Sequence, residues 1–196
     1  TFNGTGSWSF TESALAIGND FRIATGTVTM PTGTTTLAGS FSSVGGTFAH
    51  NNATVYMTAS GAETIAASGT PFTNNFYNLT FGGSGSWSFL DTSATTTNDF
   101  RIQQGVVTLP SAYLSVGGSF ANTAGTFVHN SGTVRFTGSG ARSIDTSTSF
   151  NSLDFVGSGS WSFVDASVTA LGSVWITGGT VTLPGNTLTL GGSLYN

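Results

Sequence analysis

Apolar and polar residues alternate singly along this chain, in runs of about four to six broken by Gly, Asn, Ser and Pro. Phe21 and Ile23 share one phase with Arg22 on the other, and Val28 and Met30 alternate with Thr27 and Thr29. Val107 with Leu109 and Val181 with Leu183 repeat that pattern. After a proline turn, Leu114 with Val116 and Leu188 with Leu190 form the next inward pair. Period-two alternation predicts half-buried β-strands, and no window carries the i, i+3, i+4, i+7 spacing of a helix.

The pattern is itself repeated. Gly-Ser-Trp-Ser-Phe occurs around Trp8, Trp87 and Trp161, at intervals of 79 (8 to 87) and 74 (87 to 161). The same register relates Asn19-Asp20-Phe21-Arg22-Ile23 to Asn98-Asp99-Phe100-Arg101-Ile102, and more loosely to the segment containing Val174-Trp175-Ile176. It also relates Gly46-Thr47-Phe48 to Gly125-Thr126-Phe127. The difference between the two intervals is local, an insert around Ala67-Ser68-Gly69-Thr70-Pro71, and inserts fall in loops. Within each repeat, segments of roughly 20–30 residues recur, the size of one β-helix coil, which cannot bury its apolar face alone. A coil unit stacked at ~4.8 Å satisfies the backbone through parallel ladders and piles Phe on Phe.

The expected fold is therefore all-β, a right-handed parallel β-helix (β-solenoid) with about three coils per 74–79-residue repeat. It forms one continuous unit over 1–196, with repeats at 1–79 and 80–153 and a partial repeat at 154–196. About eight coils are expected, a rod on the order of 40 Å. The alternative is a row of tandem antiparallel β-sandwich domains, against which the partial third repeat would leave half a sandwich.

The phrases Gly-Thr-Phe-Val-His-Asn-Ser-Gly-Thr-Val (125–134), Gly-Ser-Gly-Ala-Arg-Ser-Ile (138–144) and Leu-Thr-Leu-Gly-Gly-Ser-Leu (188–194) resemble the repeat regions of large bacterial surface proteins. The likeness is to filamentous-haemagglutinin and autotransporter-type β-helical passengers and to giant secreted adhesins. It implies secretion and a structural or adhesive role, and it carries over no catalytic residues.

Composition narrows the classes. Charged residues make up 6% of the chain, against roughly 25% in ordinary domains. There is no Lys, and the arginines are Arg22, Arg101, Arg135 and Arg142. The 16 Phe, 4 Trp and 4 Tyr argue against disorder. Short apolar runs argue against a membrane helix, and dense Gly against a membrane barrel. A net charge of −4 argues against nucleic acid. Zero Cys excludes disulfides and thiol chemistry. A Thr/Ser/Gly-rich, Lys-free chain suits the cell exterior, and Thr1 without an initiator Met points to a processed product or a piece of a longer protein.

Catalytic chemistry is not expected. β-Helical polysaccharide-cleaving enzymes need clustered carboxylates, whereas Asp20 and Asp99, three coils apart, would lie roughly 14 Å from each other. Paired glycosidase carboxylates lie ~5–9.5 Å apart. Glu12, Glu63, Asp91, Asp145, Asp154 and Asp165 read as turn residues or arginine partners. His50 and His129 read as turn residues rather than metal ligands, and Gly82-Gly83-Ser84-Gly85 as a coil corner rather than a phosphate cradle. No metal or cofactor is expected. A Thr-x-Thr ice-binding array is broken where Thr27-Val28-Thr29 is followed by Thr47-Phe48-Ala49.

Two functional expectations remain. Phe2 and Trp8 at one end, and Leu194 and Tyr195 at the other, lack a polar capping repeat. Head-to-tail stacking there, or continuation of a longer chain, predicts an extracellular filament, fibre or surface layer. Alternatively, the outward aromatics Trp175, Tyr56 and Tyr113 contact a partner such as a glycan, as in an adhesin stalk.

Overall fold

The computed structural model of the chain describes residues 1–67 and 75–196. Every strand pairing is parallel, and the strands stack into a β-solenoid of about nine turns, with no helix among the described residues. Each strand pairs with a segment one turn away in sequence. Ser7 faces Thr27 and Thr27 faces Thr47, while Phe100 faces Phe120. The sequence interval of one turn varies from 19, between Arg135 and Asp154, to 24, between Thr54 and Asn78. Parallel pairing throughout excludes the antiparallel sandwich. The insert from Ser68 to Pro71 lies outside the described residues.

Each turn passes through three faces. The second face is one sheet of nine strands, from Leu15–Ile17 through Asn78–Phe81 and Ala141–Thr146 to Thr180–Thr182. The first face carries Ser7–Ser9, Thr27–Thr29 and Thr47–Ala49, and later a six-stranded sheet from Ser93–Thr96 to Leu194–Tyr195. The third runs from Phe21–Arg22 to Thr126–Val128, and then Ser167–Ala170 with Thr187–Leu190.

Sequence repeat and structural turn are out of step. Trp87 lies one face after Asn78–Phe81, and Trp161 lies on the second face four turns above that strand. The repeat is thus four turns less one face, or three and two-thirds turns, somewhat more than the expected three. Trp8 to Trp87 gives the same count: one face, three turns along the second face, and one face more. Equivalent residues consequently appear on successive faces, Trp8 on the first, Trp87 on the third and Trp161 on the second.

Identical local packing survives this rotation because each motif is completed by the turn above it. Trp87 and Trp161 are fully buried. Over Trp8, Trp87 and Trp161 sit Gly26, Gly105 and Gly179, with φ of +79°, +76° and +68°. A Cβ on any of them would come within 2.7–2.8 Å of the indole below. Only glycine satisfies both the left-handed backbone and the contact.

The core is a set of axial columns. On the second face Thr35, Val55, Leu79, Phe100, Phe120, Ile144 and Phe163 pair in sequence. Phe100 stacks on Phe120 at 5.5 Å and 13°, and Phe136 on Phe155 at 5.0 Å and 16°. Thr35 interrupts its column: it is buried with its hydroxyl unpaired, where the second repeat has Leu114. At the ends the columns open. Leu109 is 2% exposed but its third-repeat equivalent Leu183 is 45% exposed.

Gly105→Ala should lower unfolding free energy by about 2–4 kcal/mol through backbone strain and overpacking on Trp87. Gly185→Ala, with nothing within 4 Å, should be nearly silent in the same denaturant titration. Thr35→Val, which removes an unsatisfied hydroxyl at constant shape, should raise stability by about 1 kcal/mol.

Candidate functional site

The later part of the first face carries the outward features that stand apart from the rest of the surface. Its strands Tyr113–Val116, Thr133–Phe136, Ser152–Phe155, Val174–Ile176 and Leu194–Tyr195 are adjacent rungs. Leu114, Val134, Leu153, Val174 and Leu194 align on the inner side. The next position therefore points outward, and it aligns Ser115, Arg135, Asp154, Trp175 and Tyr195.

These side chains interlock. The Arg135 guanidinium lies 4.0 Å above the Tyr113 ring centroid, and its Nε donates to Asp154 Oδ2 at 2.9 Å. The Trp175 and Tyr195 rings stack at 5.8 Å and 5°. Between Tyr113 and Trp175 opens a cavity of about 320 Å³, lined also by Thr133, Asp154, Val156 and Thr177. Of the three outward aromatics, Trp175 and Tyr113 thus meet at one cavity. Tyr56 is elsewhere, on the second face, with its hydroxyl hydrogen-bonded to Gln103 Oε1 at 3.3 Å. Arg135 and Asp154 were not evident as site residues from sequence. Their signal is that Arg135, Asp154 and Trp175 follow one another at the interval of a single turn.

The other candidates serve the frame. Asp20 Oδ1 accepts from the Ser40 N–H and Asp99 Oδ1 from the Ser119 N–H, both at 2.9 Å. In the third repeat Ser173 Oγ does the same for Ser193 at 3.0 Å. Asp91 and Asp165 each accept from a backbone N–H one turn below, of Ala67 and Thr146, at 2.6 Å. Glu63 accepts from the Ser40 hydroxyl, and Asp99 pairs with Arg101. Asp20 and Asp99 do not share a column as expected, since they precede strands on different faces.

His50 and His129 open tight turns whose two central residues have positive φ, Asn51 and Asn52 in one, Asn130 and Ser131 in the other. Both central residues left-handed is the type I′ geometry, which favours Asn. Each imidazole Nδ1 accepts from the N–H two residues on, at 3.0 Å for Asn52 and 3.1 Å for Ser131. Burial disfavours the charged imidazolium of His50 and lowers its pKa below the usual 6.5.

At the ends, Phe2 bridges to Ile23 and its ring meets Trp8 at 5.4 Å and Phe21 at 5.6 Å, so both end aromatics continue the core stack. Leu194 and Tyr195 are 46% and 52% exposed. Comparison with protein-family models, with curated proteins and with solved structures finds no match.

Because its folded pKa is lowered, His50 contributes stability that is present above 6.5 and lost as pH falls through the folded value. Melting temperature should therefore drop on acidification across and below that pH. His50→Asn keeps a neutral acceptor for Asn52 and should flatten this part of the profile in scanning calorimetry.

Proposed function

We propose that the chain is a structural repeat unit of an extracellular filament, fibre or surface layer, non-catalytic and extended by end-to-end stacking or by further repeats. The observation that carries the reading is an unbroken nine-strand backbone ladder on the second face over one continuous apolar core, with strands at the first and last described turns paired on one side only. Ser7–Ser9 and Leu15–Ile17 pair only upward, and Thr180–Thr182 and Thr187–Leu190 only downward. Open parallel edges over half-exposed apolar columns are templates for another strand. A contact of this heterologous kind propagates rather than closes.

The use made of the acidic side chains points the same way. Asp20, Asp91, Asp99, Asp165 and Glu63 hold backbone or hydroxyl groups between turns, which is the work of a frame. Stability drawn from hydroxyls, amides and close packing, with no Lys or Cys, suits a surface exposed to proteases and variable salt. The bacterial surface-protein resemblance of the 125–134 and 188–194 phrases is consistent with that setting.

A second reading, a binding module on an adhesin stalk, is favoured by one feature: the aromatic cavity between Tyr113 and Trp175.

Sedimentation and electron microscopy of the purified chain should reveal concentration-dependent rods that lengthen by whole turns of ~4.8 Å rise. Phe2→Asp combined with Leu194→Asp should return them to single units. A chain that stays monomeric at high concentration, with terminal-strand amides as protected from exchange as central ones, would refute end-to-end stacking.

A further inference from the structure

The internal repeat supplies a control for the first-face cavity, because the same seven positions occur once more in the chain. Tyr113, Thr133, Arg135, Asp154, Val156, Trp175 and Thr177 correspond to Thr34, Thr54, Tyr56, Thr80, Gly82, Arg101 and Gln103. In the earlier copy the hollow is plugged. Tyr56 lies flat over Gly82, where a Cβ would stand 2.0 Å from its phenol oxygen, and it reaches across to Gln103. In the later copy each part of the plug is changed. Val156 occupies the glycine position and lines the cavity, Thr177 replaces the glutamine, and Arg135 lies over Tyr113.

We propose that the opened copy is a binding subsite for a neutral oligosaccharide, an internal stretch of a pyranose chain laid between Tyr113 and Trp175. This goes beyond the structural reading and gives the second reading a ligand class. Pyranose rings present an apolar C–H face and a rim of hydroxyls. The cavity lies between Tyr113 and Trp175 with polar groups from Thr133, Asp154 and Thr177; the Arg135 guanidinium covers one face of the Tyr113 ring, so Trp175 offers the stacking face and Tyr113 closes the opposite end. Tyr195 stacks on the other face of Trp175, with the two rings nearly parallel at 5.8 Å. Asp154 uses Oδ2 for Arg135, while Oδ1 makes no hydrogen bond among the described residues and is left to accept from a sugar hydroxyl. Because Arg135 and Asp154 neutralise each other, the base favours neither an anionic nor a cationic ligand. The cavity volume of about 320 Å³ lies at the small end of ligand pockets, matching a short stretch of sugar units rather than a large folded epitope.

The test uses the full chain and a panel of neutral tetrasaccharides: cellotetraose, maltotetraose, laminaritetraose, mannotetraose and N-acetylchitotetraose. Trp87 and Trp161 are buried, so protection of emission from acrylamide reports mainly on Trp175 and Trp8. Saturation-transfer NMR provides the affinity in variants lacking the indole. At least one tetrasaccharide should bind saturably, and Tyr113→Ala and Trp175→Ala should each weaken it by about tenfold or more. The triple variant Arg135→Tyr, Val156→Gly and Thr177→Gln rebuilds the plug of the earlier repeat. It should abolish binding while circular dichroism and melting temperature stay near those of the parent. If no member of the panel binds, or if binding persists in the plugged variant, the assignment is overturned. Sedimentation of the same samples separates the two readings, since rods that assemble without binding sugar leave the structural one standing.

Discussion

Parallel, in-register pairing of each strand with the segment one turn later is the interaction on which everything else depends. It pairs the backbone polar groups of the strands internally, and it aligns like positions into axial columns. Once the length of a turn is set, inward Phe must meet inward Phe, as Phe100 does with Phe120. The corners follow the same rule. Where the chain bends and loses ladder partners, Asp20, Asp99 and Ser173 reach across one turn and accept the stranded N–H. Four of the eight carboxylates, Asp20, Asp91, Asp99 and Asp165, accept a backbone N–H of a neighbouring turn in this way.

A repeat of three and two-thirds turns has a consequence that a whole number would not. Each successive copy is rotated by one face, so a surface feature of the repeat winds around the rod instead of forming a stripe. Side-chain environments survive the rotation because they are set by the turns directly above and below, as with Gly105 over Trp87 and Gly179 over Trp161. Copies of one site are thereby kept apart on different faces, free to diverge. The hollow covered by Tyr56 and the open one between Tyr113 and Trp175 are such a pair.

Much of this was readable in advance. Alternation at Phe21-Arg22-Ile23 placed the core correctly, with Phe21 and Ile23 buried and Arg22 exposed. The shared phase of Trp87 with Phe89 and of Trp161 with Phe163 put both indoles inside. Tyr113 and Trp175 could be picked out as outward aromatics, but they stand several coils apart in the chain. Their convergence depends on the lengths of three coils in succession, from Ser115 to Arg135, on to Asp154, and on to Trp175. Small length changes at the turns move such a column.

Period-two patterning and an internal repeat by themselves determined a stacked parallel β architecture and most of its inward residues, because burial and backbone pairing act locally and identically in every turn. Which face each copy occupies, and which outward side chains become neighbours, was decided only in three dimensions. That choice is the accumulated sum of turn lengths, and the hydrophobic pattern that drives folding is indifferent to which of three equivalent faces a residue meets.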